Sequence, residues 1–385
     1  MTIAAIEAAT LTGTRPRAAG HNARLGAHGQ SVRVPTVRIV TDEGVAGFGF
    51  SKADVDRLAP LLGRDPVKLV AADGRVVTEA LDAEFPLLDL VGRIRGVPVH
   101  RLVSSSRYGA TVSDPAFDPS RPAPLAVPCY DTSLYIDDLD LATDDEAAAL
   151  IGSEARQGWE RGHRSFKLKV GRGARWMETD AGTRRDIAVI RAVRAEIGPD
   201  AKLMIDANNG YTLNLAKRVL VETADCAVHW IEEPFHEDRV LCEDLREWLD
   251  AEGMATLLAD GEGDASPRIE QMVRDGVIDV LQYDLHDHGF SAWLETGARL
   301  DGWGRLSAPH HYGRFHGNAA SAHLAPAIAG FTMVEWDEAD VPEIDASAYM
   351  VADGFVTVPE RPGFGLELDE DRWAAAVARE GRRIG

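Results

Sequence analysis

The chain has 385 residues, 45% of them hydrophobic and 27% charged, and a formal net charge of −21. That length suits one large barrel plus a smaller domain, and the acidity argues against a nucleic-acid partner, whose phosphates it would repel. No run of roughly 18 uncharged apolar residues offers a membrane span, the start of the chain lacks a basic leader with a cleavage site, and three cysteines without metal-type spacing (Cys129, Cys226, Cys242) fit a reduced cytoplasm and no disulfides.

In chain order, residues 1–13 read as a first strand. Residues 32–40 alternate as a strand does, Thr41-Asp42-Glu43-Gly44 is a turn, and residues 45–50 return, which predicts a hairpin. A helical region follows over residues 66–103, punctuated by Pro86 and Pro98. Residues 104–124 are rich in Ser, Pro, Asp and Gly and read as a linker. The expected division is an α+β unit over 1–124, a repeated unit over 125–358, and a closing segment, 359–385, that folds back on the first unit.

From Leu125 onward, short apolar runs alternate with helical stretches: 125–131, 165–170, 202–208, 229–234, 256–262, 279–284, 305–310 and 332–338. Polar residues at the ends of these runs are spaced by 26 (206 to 232), 30 (232 to 262), 22 (262 to 284), 26 (284 to 310) and 25 residues (310 to 335). A strand, a helix and two loops need about that many residues, so the pattern predicts βα units that close into a barrel.

The interior of a parallel barrel strand should be Val, Ile or Leu, yet charged residues recur at the C-terminal ends, the face on which barrel enzymes build their sites. Asp206, Glu232 and Glu262 end three neighbouring strands. Three convergent carboxylates without His or Cys make a hard oxygen site that suits Mg²⁺ and disfavours Zn²⁺. Asp260, two residues before Glu262, competes for the third position. Lys167 and Lys169, two apart on one strand, point to the same side, and each should depress the other's pKa, which makes one a usable base. Asp284 and His310 end consecutive strands. A carboxylate on one ring nitrogen would fix the tautomer and leave the other nitrogen for proton transfer. His311 is the adjacent competitor, with alternation pointing it the other way.

Together, Lys167-Leu168-Lys169, Asp206-Ala207-Asn208, Glu232-Glu233-Pro234, Gly261-Glu262, Asp284, His310 and Glu335, with the helical segment 87–103, resemble the enolase superfamily and its mandelate racemase subgroup. The resemblance runs over essentially the whole chain. It implies an α/β fold, a (β/α)7β-type TIM barrel with an N-terminal α+β capping domain. It also implies one Mg²⁺ per subunit on Asp206, Glu232 and Glu262, and a small anionic carboxylate substrate. Lys169 would be a base with Lys167 beside it, His310 oriented by Asp284 would act on the opposite face, Glu335 would hydrogen-bond the enolate oxygen, and Asn208 would contact substrate. A homo-oligomer is expected.

In such a family a loop near the start of the capping domain closes over the mouth. Residues 14–31 hold Arg15, Arg17, His21, Asn22, Arg24 and His28, so a flexible, cationic lid is expected, with His21, Arg24 and His311 as further substrate contacts. The segment after Asp284 departs from the usual Gly-rich turn: Tyr283 stands where Pro is common, and His286, Asp287 and His288 are candidates for specificity. Arg314 and His316 read as helix N-terminal surface. The reaction expected is dehydration of an acid sugar. Racemisation or epimerisation of a 2-hydroxy acid is the alternative, and a degenerate binding paralogue a remote one. A metal-dependent aldolase or hydrolase would have no reason for the Lys-x-Lys and Asp/His sets together.

Overall fold

The computed structural model describes residues 1–103, 125–263, 265–313 and 315–385. The expected linker, 104–124, and Arg314 lie outside the described residues.

The chain opens on a meander of antiparallel strands, β1 (Ile3–Ala19), β2 (Gly29–Thr41) and β3 (Ala46–Phe50). Gly44, with φ of 82°, supplies the left-handed position of the β2–β3 turn. The helix Glu84–Arg95 lies close against β3, because a Cβ at Gly47 would collide with the backbone of Leu90. β1 and β2 run further than the sequence suggests. Arg15 and Arg17 therefore stand on a strand, and the expected 14–31 loop shrinks to residues 20–28.

Eight parallel strands follow: β4 (Leu125–Leu134), β5 (Ser165–Lys169), β6 (Lys202–Asp206), β7 (Val228–Glu232), β8 (Leu257–Asp260), β9 (Val280–Leu281), β10 (Leu306–Ser307) and β11 (Val334–Trp336). A helix follows each of β4 to β10 and none directly follows β11, which is the expected (β/α)7β barrel. No ladder joins β10 to β11 among the described residues. A single parallel bridge between Ser307 and Phe331 spans that gap, with the Ser307 amide donating to the Gly330 carbonyl at 2.9 Å. β9 and β10 are shorter than expected, and Pro309, with no N–H to offer, is one reason the β10 ladder stops. The chain nevertheless continues alongside, and Asp284 and His310 meet in an isolated parallel bridge.

The last segment returns to the first sheet. Arg382–Ile384 pairs antiparallel with β1, and the Trp373 indole donates to Glu7 Oε2 at 2.8 Å. Buried polar contacts join the first sheet and its helices to the barrel. Glu84 accepts the amides of Phe290 and Ser291 (2.7 and 3.0 Å), capping the helix Phe290–Trp303 from outside it. Cys129, Cys226 and Cys242 are all free and buried. No described helix is long and apolar enough to cross a membrane.

Candidate active site

Strand alternation builds the site. Tyr130, Met204, Trp230, Ala259, Val280, Ala308 and Met333 pack together as one apolar layer inside the barrel. Side chains two residues on share a strand's face, so the next layer toward the mouth comprises Thr132, Asp206, Glu232, Gly261, Gln282, His310 and Glu335. Lys167 belongs to the lower layer, its ammonium 5.4 Å from the centre of the Tyr130 ring, and Lys169 to the upper one. The register agrees: Lys169 pairs with Asp206 and Asp206 with Glu232 on adjacent strands.

Ligand atoms of Asp206, Glu232 and Glu262 all lie within 4.8 Å of one another, with Asp206 and Glu232 buried. Asp260 does not compete. It faces away from this trio, and its Oδ1 accepts the Gly261 amide at 2.7 Å. Lys167 donates to Glu232 at 2.8 Å, and Lys169 is bonded to Asp206. Trp230 and Gln282 also donate to Glu232 Oε2, at 3.1 and 2.9 Å. Burial, reinforced by Asp206 and opposed by Lys167, pushes Glu232 up to about 7. Burial also opposes the charge of Asp206, but Lys169 and Lys167 hold it below the usual carboxylate range. An acid-only donor set, too crowded to stay ionised without compensating charge, fits a hard divalent cation.

The expected mutual depression of the two lysines is not what their surroundings produce. Burial is the largest influence and lowers Lys169, and Lys167 lowers it further, but Asp206 together with Glu262 and Glu232 outweighs them and the net direction is upward. A cation among the carboxylates would take over that compensation.

His310 Nδ1 lies 3.0 Å from Asp284 Oδ2, the expected pairing, and Nε2 lies 3.5 Å from Glu262 and 3.8 Å from Glu335. Burial disfavours the imidazolium, yet Glu262, Glu335 and Asp284 raise the ring to about 10. Glu335 accepts from Thr132 Oγ1 (2.8 Å) and from the amides of His311 (2.7 Å) and Tyr312 (3.0 Å), with Lys167 at 3.2 Å. Burial opposes its charge, but Lys167 and His310 hold it well below the ordinary range.

The expected substrate contacts divide. Arg24 and Asn208 line a cleft of about 410 Å³ with Asn209, Glu233, His236 and Glu262. Asn208 Oδ1 is buried there without a hydrogen-bond partner among the described residues, and its Nδ2 donates to Glu233 at 3.1 Å. His21 instead sets its ring edge-on to Trp176, centroids 4.6 Å apart. His311 is fully buried, with its ring against Gly317, as its alternation predicted. The lid cations are mostly spent. Arg15 forms a bidentate buried pair with Asp337 (2.9 and 2.9 Å), and Arg17 pairs with Glu154 at 3.2 Å.

The candidates after Asp284 are also packing groups. His286 lies against Phe50 (4.2 Å between centroids), His288 stacks on Tyr283 (4.5 Å), and Asp287 pairs with Lys52 at 3.0 Å. His316 is not surface. It is buried, with Nε2 3.1 Å from Thr36 Oγ1 of β2. Sequence reasoning passed over Thr132, Trp230 and Gln282, which lie one or two residues from the charged strand ends and carry no charge to signal them. The His28 ring of the 20–28 loop stands 5.0 Å from Tyr135 and 5.8 Å from Tyr312, and the Tyr135 ring lies 5.6 Å from the Lys169 ammonium.

Comparison with known proteins agrees with this geometry. Residues 151–372 match the family described as enolase C-terminal domain-like. The chain is 28% identical to the D-galactarolactone cycloisomerase of Agrobacterium fabrum, over 87% of this chain and 89% of the relative. Galacturonate dehydratase from Geobacillus sp., complexed with D-galacturonate and 5-keto-4-deoxy-D-galacturonate, superposes with a TM-score of 0.92 at 44% identity, covering 100% of this chain and 99% of that one. A mutant of galacturonate dehydratase from Geobacillus sp., complexed with Mg, gives a TM-score of 0.93 at 43% identity, with 100% and 97% covered. With the matched family spanning more than half its length, this chain belongs to the enolase superfamily, on its mandelate racemase side.

Proposed function

We propose that this protein is a cytoplasmic, Mg²⁺-dependent acid-sugar dehydratase, with a hexuronate such as D-galacturonate the first substrate to test. The observation that carries the reading is the cluster of charged groups at the barrel mouth above the apolar layer, the three carboxylates Asp206, Glu232 and Glu262 flanked by Lys169 on one side and the Asp284–His310 pair on the other. The 44% identity with galacturonate dehydratase over nearly the full length of both chains supports the choice of substrate.

In this reading Asp206, Glu232 and Glu262 hold the ion, which supplies positive charge where the substrate carboxylate takes on a second negative one. Lys169 removes the proton from the carbon next to that carboxylate, with Lys167 sharing the carboxylate's charge. His310, aligned by Asp284, gives a proton to the hydroxyl on the β-carbon. The α C–H and β C–O bonds break, water leaves, and the enol formed tautomerises to an α-keto acid deoxygenated at the β-carbon, which for a hexuronate is the 5-keto-4-deoxy product. Asn208 and Arg24 line the cleft through which the polyol chain extends.

A proton-accepting group on each side of the substrate also suits 1,1-proton transfer, which makes racemisation or epimerisation the second reading. The product decides between them. With Mg²⁺ and a panel of uronates, aldonates and aldarates, dehydration yields a 2-keto acid. Epimerisation yields solvent deuterium at the α-carbon without loss of water.

A further inference from the structure

The loop over residues 20–28 is held by the barrel through its main chain. The Trp176 indole donates to the Asn22 carbonyl at 2.7 Å, and Arg175 donates to the Arg24 carbonyl at 2.5 Å. Between those two carbonyls Ala23, 1% exposed, presses its methyl into a socket made by two glycines. A Cβ at Gly171 or Gly210 would come within 2.8 or 2.7 Å of that methyl, so neither wall of the socket can carry a side chain. The loop is preorganised for this docking. Asn22 Oδ1 takes the amides of Arg24 (2.9 Å) and Leu25 (2.6 Å), the His21 amide donates to the Ile136 carbonyl (3.0 Å), and the His28 amide closes the neck on the Gly20 carbonyl (3.0 Å).

The socket is built from the chain immediately after two groups of the proposed site. Gly171 follows Lys169 by two residues, and Gly210 follows Asp206 by four. Val170 in turn donates to the Asp206 carbonyl at 2.9 Å, tying the two loops together. At the far side of the docked loop stands His28, against Tyr135 and Tyr312, with its Nε2 buried and without a hydrogen-bond partner among the described residues. A buried polar atom left unpaired calls for an explanation, and a hydroxyl of a bound substrate would satisfy this one.

We propose that Trp176 is a positioning residue. With Arg175 and the Gly171–Gly210 socket, it latches the 20–28 loop onto the segments that follow Lys169 and Asp206, and so brings His28 to bear on the substrate. The latch goes beyond the proposed reaction, although its effect on turnover rests on that reading. Loop docking and substrate binding are then coupled, and each strengthens the other.

Amide exchange of residues 20–28 in the Mg²⁺-loaded protein reads the latch without any substrate. Trp176→Phe keeps an aromatic ring, though a smaller one, and loses the N–H, which should speed exchange about fivefold or more, one neutral hydrogen bond being worth about that factor. Trp176→Ala should speed it more, and Ala23→Val, which overfills the socket, should do the same from the loop side. In turnover all three should raise KM more than they lower kcat, with melting temperature little changed. Unchanged exchange in both Trp176→Ala and Ala23→Val would overturn the latch. So would faster exchange with kcat/KM untouched. A wild type that turns over no acid sugar sinks the reaction proposed above, and the latch then stands or falls on exchange alone.

Discussion

Asp284 divides its carboxylate between two tasks: Oδ2 holds His310 Nδ1 at 3.0 Å, and Oδ1 accepts the amides of His286 and Asp287 at 2.9 and 3.0 Å. The amides fix the carboxylate, and the carboxylate fixes the ring, so Nε2 is left turned toward Glu262 and Glu335. Asp284→Asn retains the shape but weakens the hold on the tautomer. A fall in kcat on the order of 10²-fold, with KM within a few-fold, is expected from the loss of an aligned acid. Steady-state kinetics check it, and a kcat within twofold of wild type would contradict it.

Lys169 is bonded to Asp206 and buried. Lys169→Met should remove proton abstraction, with a loss of about 10³-fold or more. It should leave Mg²⁺ affinity equal or tighter, because a positive neighbour of a ligand carboxylate is gone. Titration calorimetry with Mg²⁺ separates this from simple damage to the metal site, since damage would weaken binding.

Because Lys167 and Lys169 already compensate Glu232 and Asp206, chelation should leave the barrel folded. Mg²⁺ at about 100 times its Kd should add roughly 2.7 kcal/mol by mass action, seen as a rise of a few degrees in melting temperature. Glu262→Gln should shrink that rise. Unfolding on addition of a chelator at room temperature would show that the lysines do not fill this role.

Acid sensitivity follows from histidines remote from the site. His323 Nδ1 accepts the His100 amide at 3.0 Å, and Nε2 lies 3.0 Å from the Tyr349 hydroxyl, which itself donates to the Phe364 carbonyl. Nε2 must then carry the proton, and a second one at Nδ1 would break the bond to His100. Burial pushes His323 well below its usual value, His100 to about 4 and His316 to about 3. The unfolded chain takes up these protons near pH 6.5 and the folded one does not. Stability is therefore full above about pH 6.5 and falls as pH drops toward 4, by at most roughly 1.4 kcal/mol per pH unit for each ring. Melting temperatures at pH 7 and pH 5 test this, and His316→Gln should flatten the slope.

The barrel was legible because each strand is an apolar run ending in charge at a regular spacing, and the converging carboxylate trio because its members are charged. Asp260 could not be dismissed from sequence, since strand phase decides it: Ala259 faces the barrel interior, so Asp260 faces out. Thr132 and Gln282 carry no charge to mark them in the sequence, whereas the inward face follows a count of two from Tyr130 and Val280. The lid cations misled for a different reason. Composition gives Arg15 and Arg17 their charge but not their partners, and Asp337 and Glu154 lie 322 and 137 residues away in sequence. Glu335 likewise reads from sequence as a charged strand end, while its partners Thr132, Lys167 and the His311 and Tyr312 amides are set only by the fold.

In the proposed reaction one cluster of charged groups removes an α-proton and then expels water. Incubation with Mg²⁺ and D-galacturonate in D₂O, followed by NMR, tests it most directly. The expected result is 5-keto-4-deoxy-D-galacturonate, absent when Mg²⁺ is withheld or Lys169 is replaced by Met. Unchanged substrate, with neither α-deuterium nor keto acid from any uronate, aldonate or aldarate, would contradict it.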